Sequence, residues 1–182
     1  MDGIVGVFGI GDRELVNKAF LATGACQHRG KASTGIAVVN GKDIYIHKGL
    51  GRIADIIDYN LVKIFQDLEP FGAIGNIGYT KRKIPEKINA EPIEIHPRKH
   101  TPLKIVLTMD GYLLNEEDLI AELEQDYSLD TENKTEVVGA LLHRYVIEEG
   151  VTFEAGRKLV DKLHGRATFA LVALVNRLLR NR

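Results

Sequence analysis

The segment GIVGVFG, residues 3–9, opens the chain with an almost continuous apolar run of small residues. A short run of this kind is typical of a buried strand, which we predict over residues 3–8. A second strand with an unusual glycine content is predicted at residues 72–79, within GAIGNIGYT (72–80). The chain is therefore expected to begin its fold with strands.

Apolar periodicity and turn residues predict the remaining elements. They are a helix capped by Asp12, a hairpin of strands 34–39 and 43–47 around Asn40-Gly41, a helix at 58–68, a long loop or edge hairpin at 81–99, a strand at 103–109, helices that begin at Asn115, Asn133 and Thr152, and a strand or buried helix at 168–175. Strands, then helices, then a strand are typical of a layered α+β sandwich. The length predicts a single domain, residues 1–182.

Composition excludes several classes of protein. The chain has 182 residues, of which 45% are hydrophobic, and a formal net charge of −1. This balance argues against disorder and against general nucleic-acid binding. The apolar run at 168–175 is far shorter than the roughly 20 residues that cross a bilayer, and no secretory segment is recognisable. The single cysteine, Cys26, excludes an internal disulfide and a cysteine-rich zinc site. We expect a cytoplasmic protein without a metal or other cofactor.

Six short segments, taken in order, are far more specific than any one of them. They are GIVGVFG at 3–9, QHRGKASTGIAV at 27–38, HKGLGRI at 47–53, GAIGNIGYT at 72–80, NAEP at 89–92 and DGYLLNEEDL at 110–119. This series resembles the glutaminase domain of class II glutamine amidotransferases, and the amidophosphoribosyltransferase branch in particular. The resemblance implies a four-layer αββα sandwich of the N-terminal-nucleophile hydrolase type. Family domains continue with further strands, so this one is expected to be C-terminally shortened.

The resemblance also implies a set of chemical positions. In the family an N-terminal cysteine attacks the glutamine amide, an Asn-Gly pair forms the oxyanion hole, and an arginine and an aspartate hold the substrate's carboxylate and amine. The matching positions here are Asp2, Asp110-Gly111, Gly78 and Lys134. A carboxylate is a poor nucleophile toward an amide, and Asp110 has no amide donor. The resemblance thus predicts a catalytically inactive homologue that acts as a binding, regulatory or structural partner in nitrogen or purine metabolism.

The former glutamine pocket is the predicted ligand site. Its predicted residues are Asp2, Arg29, Gly30, Gly78, Tyr79, Asp110, Gly111 and Lys134. Because Lys134 and the run Lys81-Arg82-Lys83 bring positive charge to this region, an unknown small molecule or anion, such as a nucleotide phosphate, is the expected ligand. A homodimer or a protein partner is the expected assembly, with no nucleic acid and no membrane.

Two alternatives stay open. The chain could be an enzyme of altered chemistry in which Asp2, Asp110 and Lys134 are new acid–base groups, or it could retain glutaminase activity. Convergence of these three residues within hydrogen-bond reach of one pocket would favour altered chemistry, and a pocket that is collapsed or filled by side chains would favour a scaffold. Cys26 is interpreted as a small core residue rather than a relocated nucleophile. His96 and His100 are interpreted as part of a solvated loop rather than a metal site.

Overall fold

The computed structural model of the protein describes residues 2–79 and 86–175, so Lys81-Arg82-Lys83 lie outside the described residues. The strands are β1 (Gly3–Phe8), β2 (Ser33–Val39), β3 (Ile44–Leu50), β4 (Gly72–Gly78), β5 (Ile93–Glu94), β6 (His96–Pro97), β7 (Leu103–Leu113), β8 (Tyr127–Ser128) and β9 (Gly165–Val175). The helices are α1 (Leu15–Ala25), α2 (Ile53–Ile56), α3 (Tyr59–Asp67), α4 (Glu116–Leu123), α5 (Lys134–Glu149) and α6 (Phe153–Lys162), with 3-10 turns at Gln27–Arg29 and Lys87–Asn89.

The first sheet has the antiparallel order β1-β4-β2-β3. Strand β2 is buried on both faces, which explains why its residues 36–39 are continuously apolar. Ile36 and Val38 pack against α1–α3 on one face, whereas Ala37 and Val39 face the second sheet. Strand β1 was predicted to be buried, and this was wrong in part: it is an edge strand, and 73% of Phe8 is exposed.

The second sheet has the antiparallel order β5-β7-β9 and is covered by α4–α6. Its core is built from β7, α4, α5 and α6, with Leu107, Leu119, Leu141 and Leu159 almost completely buried. A third, smaller core lies between the two sheets, where Val106 of β7 packs with β2 and β4. Helices, sheet, sheet and helices thus form four layers, which confirms the predicted αββα sandwich.

Two of the helix caps that were predicted from the local sequence are present in the structure. Asn133 and Thr152 cap α5 and α6, because their side chains accept backbone N–H bonds from Thr135 at 3.0 Å and Ala155 at 3.4 Å. Asp12 is not a helix cap, since α1 begins at Leu15. The Asp12 carboxylate instead accepts the Glu14 N–H at 3.0 Å, in the turn before the helix.

Two other expectations are refined. Residue Asn115 precedes α4 without capping it; its side chain accepts the His164 N–H at 3.0 Å and donates to the Lys162 carbonyl at 3.0 Å. It therefore joins α4 to the chain that enters β9. The segment at 168–175 is a strand rather than a helix, and pairing with β9 extends β7 to Leu113. No helix in the described ranges has both the length and the apolar character to cross a membrane.

The loop that carries Glu91 lies directly over the first sheet because Gly35 of β2 has no side chain. A Cβ at Gly35 would overlap the Glu91 carbonyl oxygen and would lie 2.8 Å from both Lys48 Cβ and Pro92 Cδ. The Lys48 ammonium holds the same loop, donating to the carbonyl oxygens of Ala90 at 2.6 Å and Pro92 at 3.2 Å. The β2–β3 hairpin therefore fixes the position of Glu91.

Gly35→Ala is expected to lower the free energy of unfolding by about 1–3 kcal/mol, because the backbone and side chains around it must move. The control is Gly156→Ala in α6, where a Cβ meets no atom within 4 Å. That change should raise stability by up to about 1 kcal/mol, since alanine favours a helix. Urea unfolding of both variants measures the difference. Equal effects of the two substitutions would contradict the packing argument.

Candidate functional site

One end of the sandwich opens into a pocket of about 950 Å³ between the two sheets. It is lined by the start of β1, the start of β2, the end of β4, the later half of β7, the start of β9 and the first turn of α5. The loop before β5 closes one side through Asn89, Ala90 and Glu91. Residues far apart in sequence thus meet where many strand ends and one helix start converge.

The predicted site residues are brought together here. Seven of the eight line the pocket: Asp2, Arg29, Gly78, Tyr79, Asp110, Gly111 and Lys134. Gly30 does not line it. It is buried beside β4, where a Cβ would overlap the Gly78 carbonyl oxygen and lie 3.0 Å from the Tyr79 nitrogen. Gly30 therefore serves close packing next to the pocket, and ligand contact by the other seven stays a prediction.

Asp2, Arg29 and Asp110 form one connected cluster. The Asp2 backbone N–H donates to Asp110 Oδ1 at 2.9 Å, and Asp2 Oδ1 accepts the Tyr79 N–H at 2.7 Å. Arg29 donates through Nε to the Asp2 carbonyl at 2.6 Å and pairs through Nη2 with Asp110 Oδ2 at 3.2 Å. The start of β1 is thus tied to β4 and β7 by polar contacts.

The environment of Asp2 disfavours its charged form. Burial raises the pKa of the Asp2 carboxyl above its usual value, and the nearby Asp110 charge raises it further. The Tyr79 N–H and the Arg29 charge act in the opposite direction. A carboxyl whose pKa is raised inside a cleft is a candidate acid–base group.

Lys134, the first residue of α5, brings positive charge to the lining of the pocket. Within residues 2–79 and 86–175 its side chain makes no hydrogen bond or ion pair. Carboxyl groups of Asp2, Glu86, Glu91, Asp110 and Glu132 line the pocket together with the cations Arg29, Lys134 and Arg166. The described lining therefore offers both signs of charge, and the expected anion stays a prediction.

Glu91 is a functional candidate that the sequence reasoning missed. Its side chain is 3% exposed, yet it accepts five hydrogen bonds. Donors to Oε2 are Asn76 Nδ2 at 3.1 Å, Thr108 Oγ1 at 2.5 Å and the Met109 N–H at 2.8 Å. Donors to Oε1 are Asn133 Nδ2 at 3.0 Å and Thr135 Oγ1. The acidic residue within NAEP was the signal that could have found it.

Burial raises the pKa of Glu91 to about 7, against the hydrogen bonds from Thr108, Thr135 and Met109, which lower it. The negative charge of Asp2 raises it further. The five donors provide the carboxylate with hydrogen bonds, but the cost of removing its charge from water has the larger effect on its pKa. The carboxyl beneath the pocket therefore changes charge near neutral pH.

Asn76 is the second residue that the sequence reasoning missed. Strand alternation places it on the same face of β4 as Ile74, toward the second sheet. Its Nδ2 donates to Glu91 and to Thr108 Oγ1, the latter at 2.8 Å. Its Oδ1 is buried and accepts no hydrogen bond from the described residues. A polar residue inside a strand of glycines and apolar residues was the available signal.

The remaining candidates have simpler environments. Cys26 is half-buried, packs closely against Gly3 and lines the pocket. His96 is exposed and lies in β6 opposite Ser128, and His100 is also exposed. Among the described residues no three His, Cys, Asp or Glu side chains are grouped so as to hold a metal ion.

Comparison with known proteins agrees with this architecture. A sequence model of the family described as "Glutamine amidotransferase domain" matches residues 89–181, just over half of the chain. The chain is 30% identical over 174 residues to an isomerizing glutamine–fructose-6-phosphate aminotransferase of Thermococcus kodakarensis, covering 94% of this chain and 27% of that protein. It is 27% identical over 177 residues to an amidophosphoribosyltransferase of Methanocaldococcus jannaschii, covering 97% of this chain and 36% of that protein.

Solved structures show the same fold. A chain of the allosteric regulatory enzyme of purine biosynthesis superposes with a TM-score of 0.78 at 22% identity, covering 95% of this chain and 35% of that one. Glutamine phosphoribosylpyrophosphate amidotransferase from B. subtilis, complexed with ADP and GMP, gives 0.72 at 22% identity, with coverages of 94% and 35%. The chain spans about a third or less of the length of these relatives.

Glu91→Gln should reveal the titration of the buried carboxyl. The folded pKa of about 7 lies above the usual 4.5, so the folded protein binds this proton more tightly than the unfolded chain does. The stabilisation is fully present below about pH 4.5 and is lost as the pH rises through about 7. Relative to Glu91→Gln, the unsubstituted protein should lose up to about 3 kcal/mol over this range.

Urea unfolding at half-unit pH steps measures the difference in free energy of unfolding between the two proteins. Glu148→Gln, which changes an exposed carboxyl on α5, is the control and should follow the unsubstituted protein. If the difference in free energy of unfolding between Glu91→Gln and the unsubstituted protein does not change with pH, then Glu91 keeps one charge state throughout this range.

Proposed function

Because the chain belongs to the class II glutamine amidotransferase family, we propose that it binds a small polar molecule in the pocket without hydrolysing glutamine. The observation that carries this proposal is the position of Asp2. The family resemblance assigns the nucleophile to this position, and here its Oδ1 accepts the Tyr79 N–H at 2.7 Å at the pocket wall. A carboxylate there cannot form the thioester of the family reaction.

The oxyanion-binding position is altered as well. An oxyanion requires hydrogen-bond donors aimed at the developing charge. Asp110 instead presents carboxylate oxygens, which already accept from the Asp2 N–H at 2.9 Å and from Arg29 at 3.2 Å. A second negative charge at this point would be repelled. The polar cluster that replaces the catalytic groups therefore suits ligand recognition better than acyl transfer.

The names of the relatives suggest the metabolic setting in which this domain would act. The relatives are named for glutamine-dependent aminotransfer and for phosphoribosyl transfer. A domain of this family that binds without turnover would act as a sensor or regulatory partner in nitrogen or purine metabolism. We propose that it works in the cytoplasm, as a homodimer or with a protein partner, which would carry the binding signal onward.

Ammonia release from L-glutamine tests the proposal. The unsubstituted protein should release no ammonia above the buffer background, while an active amidotransferase measured in parallel does. Asp2→Cys alone should also stay inactive, because Gly78, Asp110 and Lys134 are unchanged. Glutamine-dependent ammonia release by the unsubstituted protein, abolished by Asp2→Asn, would overturn the inactive assignment.

An enzyme of altered chemistry is the second candidate, and one observation favours it. Asp2, Asp110 and Lys134 all line a single open pocket, and the pKa of Asp2 is raised by burial and by Asp110. A carboxyl with a raised pKa can serve as a general acid. On this hypothesis Asp2 would donate a proton and Lys134 would hold an anionic part of the substrate.

Proton NMR of ligand incubated with the protein separates the two candidates. A molecule recovered unchanged after a day with stoichiometric protein would support binding alone. Conversion of that molecule, lost in Asp2→Asn and retained in Lys63→Gln, would favour the enzyme. Lys63 is exposed on α3 and does not line the pocket, so its replacement controls for the loss of a charge elsewhere.

A further inference from the structure

Asn76 and Glu91 meet beneath the pocket in a hydrogen bond that fits only one charge state of the carboxyl. Asn76 Nδ2 donates to Glu91 Oε2 at 3.1 Å and to Thr108 Oγ1 at 2.8 Å. The five donors that Glu91 has among the described residues are all neutral, and an ionised carboxylate can accept from each of them. The observed arrangement therefore matches the ionised form of Glu91.

The oxygen of the same amide is unsatisfied. The Asn76 side chain is 0% exposed, and its Oδ1 accepts no hydrogen bond from the residues that the structure describes. A ligand cannot reach this atom, so a donor has to come from inside the protein. A half-turn of the amide would exchange Oδ1 and Nδ2 and bring the oxygen against Glu91 Oε2. That contact is repulsive while Glu91 is ionised, and it becomes a hydrogen bond when Oε2 carries a proton.

The two oxygens of Glu91 differ in what surrounds them. Oε1 accepts from Asn133 Nδ2 at 3.0 Å and from Thr135 Oγ1. The Asn133 amide cannot turn, because its Oδ1 accepts the Thr135 N–H at 3.0 Å as the cap of α5. A proton on Oε1 would leave Asn76 Oδ1 without a donor, whereas a proton on Oε2 supplies one. The gain of this buried hydrogen bond favours Oε2 as the site of the proton.

We propose that Asn76 and Glu91 form a proton-coupled switch: when Glu91 takes up a proton on Oε2, the Asn76 amide turns and Oδ1 accepts the new O–H. Nδ2 then lies on the side of Ser33, since the position of a Cβ at Gly78 would be 3.5 Å from Asn76 Oδ1 and 2.1 Å from Ser33 Oγ. Ser33 lines the pocket, so the turn reverses the hydrogen-bonding character of the amide next to the pocket wall.

Charged groups on the surrounding elements bias this switch. Burial raises the pKa of Glu91 to about 7, and the Asp2 charge raises it further, so both arrangements are populated near neutral pH. Burial lowers the pKa of Lys48, but the Glu91 charge acts to raise it, so Lys48 favours the ionised carboxylate. The charged groups around Glu91 are Asp2 before β1, Lys48 of β3, Glu94 of β5, Asp110 of β7, and Lys134 and Glu136 of α5.

NMR of the isotope-labelled full chain between about pH 5 and 9 tests the switch. The Asn76 amide signals and the Glu91 carboxyl carbon should shift with one shared midpoint near 7. Above the midpoint the Asn76 amide protons should show Overhauser contacts to the Thr108 methyl group, and below it to the Ser33 Cβ protons. The Asn115 amide, which donates to the Lys162 carbonyl, is the control and should not shift with this midpoint.

Substitutions at both ends of the switch should move the midpoint. Ser33→Ala should lower it by about half to one pH unit, because the turned amide loses its acceptor. Ser128→Ala removes a hydroxyl that donates to Asp130 instead, and should leave the midpoint unchanged. Asp2→Asn should lower it as well, because a negative charge that favours the neutral carboxyl is removed.

The switch is overturned if the Glu91 carboxyl titrates while the Asn76 amide keeps its Thr108 contacts at every pH, since the proton would then lie on Oε1. A Glu91 carbon that does not shift over this range would also overturn it. An unchanged midpoint in Ser33→Ala would refute the link to the pocket wall. These measurements involve no ligand, so the switch and the proposed binding function can fail independently.

Discussion

The buried carboxylate of Glu91 is the interaction on which the arrangement of the site depends. It receives donors from β4, from β7 and from the start of α5, and so connects both sheets with the helix that brings Lys134 to the pocket. Lys48 and Gly35 hold its backbone in place from the first sheet. A shorter side chain at position 91 would leave the buried donors of β4, β7 and α5 without their acceptor.

The same arrangement explains how a pocket can persist when the chemistry assigned to it by family resemblance is replaced. Two of the positions to which the resemblance assigns chemistry are held by contacts within the chain: Asp2 by the Tyr79 N–H, and Asp110 by the Asp2 N–H and Arg29. These bonds keep polar groups at the pocket wall in defined positions. The pocket is therefore open and pre-organised, which lowers the entropic cost of binding a small molecule.

Much of the fold could be predicted from local sequence, and the site only in part. Strand β2 has a continuous apolar run at residues 36–39 because layers cover both of its faces, and Asn133 and Thr152 cap helices through bonds to residues two or three positions away. Phe8 misled the prediction because the strand order, a tertiary property, places β1 at an edge. Seven of the eight predicted pocket residues were found by family resemblance. Glu91 and Asn76 were not, since their importance comes from partners 15 or more positions away, to which no local pattern refers.

The anchoring of Asp2 has a practical consequence for anyone who produces this protein. Its backbone N–H and its carboxylate are both held at the pocket wall, by Asp110 and by the Tyr79 N–H. The described part of the chain therefore begins beside the pocket. A purification tag joined directly before residue 2 would begin at the pocket wall. Material intended for affinity measurements is better tagged at the other end or freed from any leading extension.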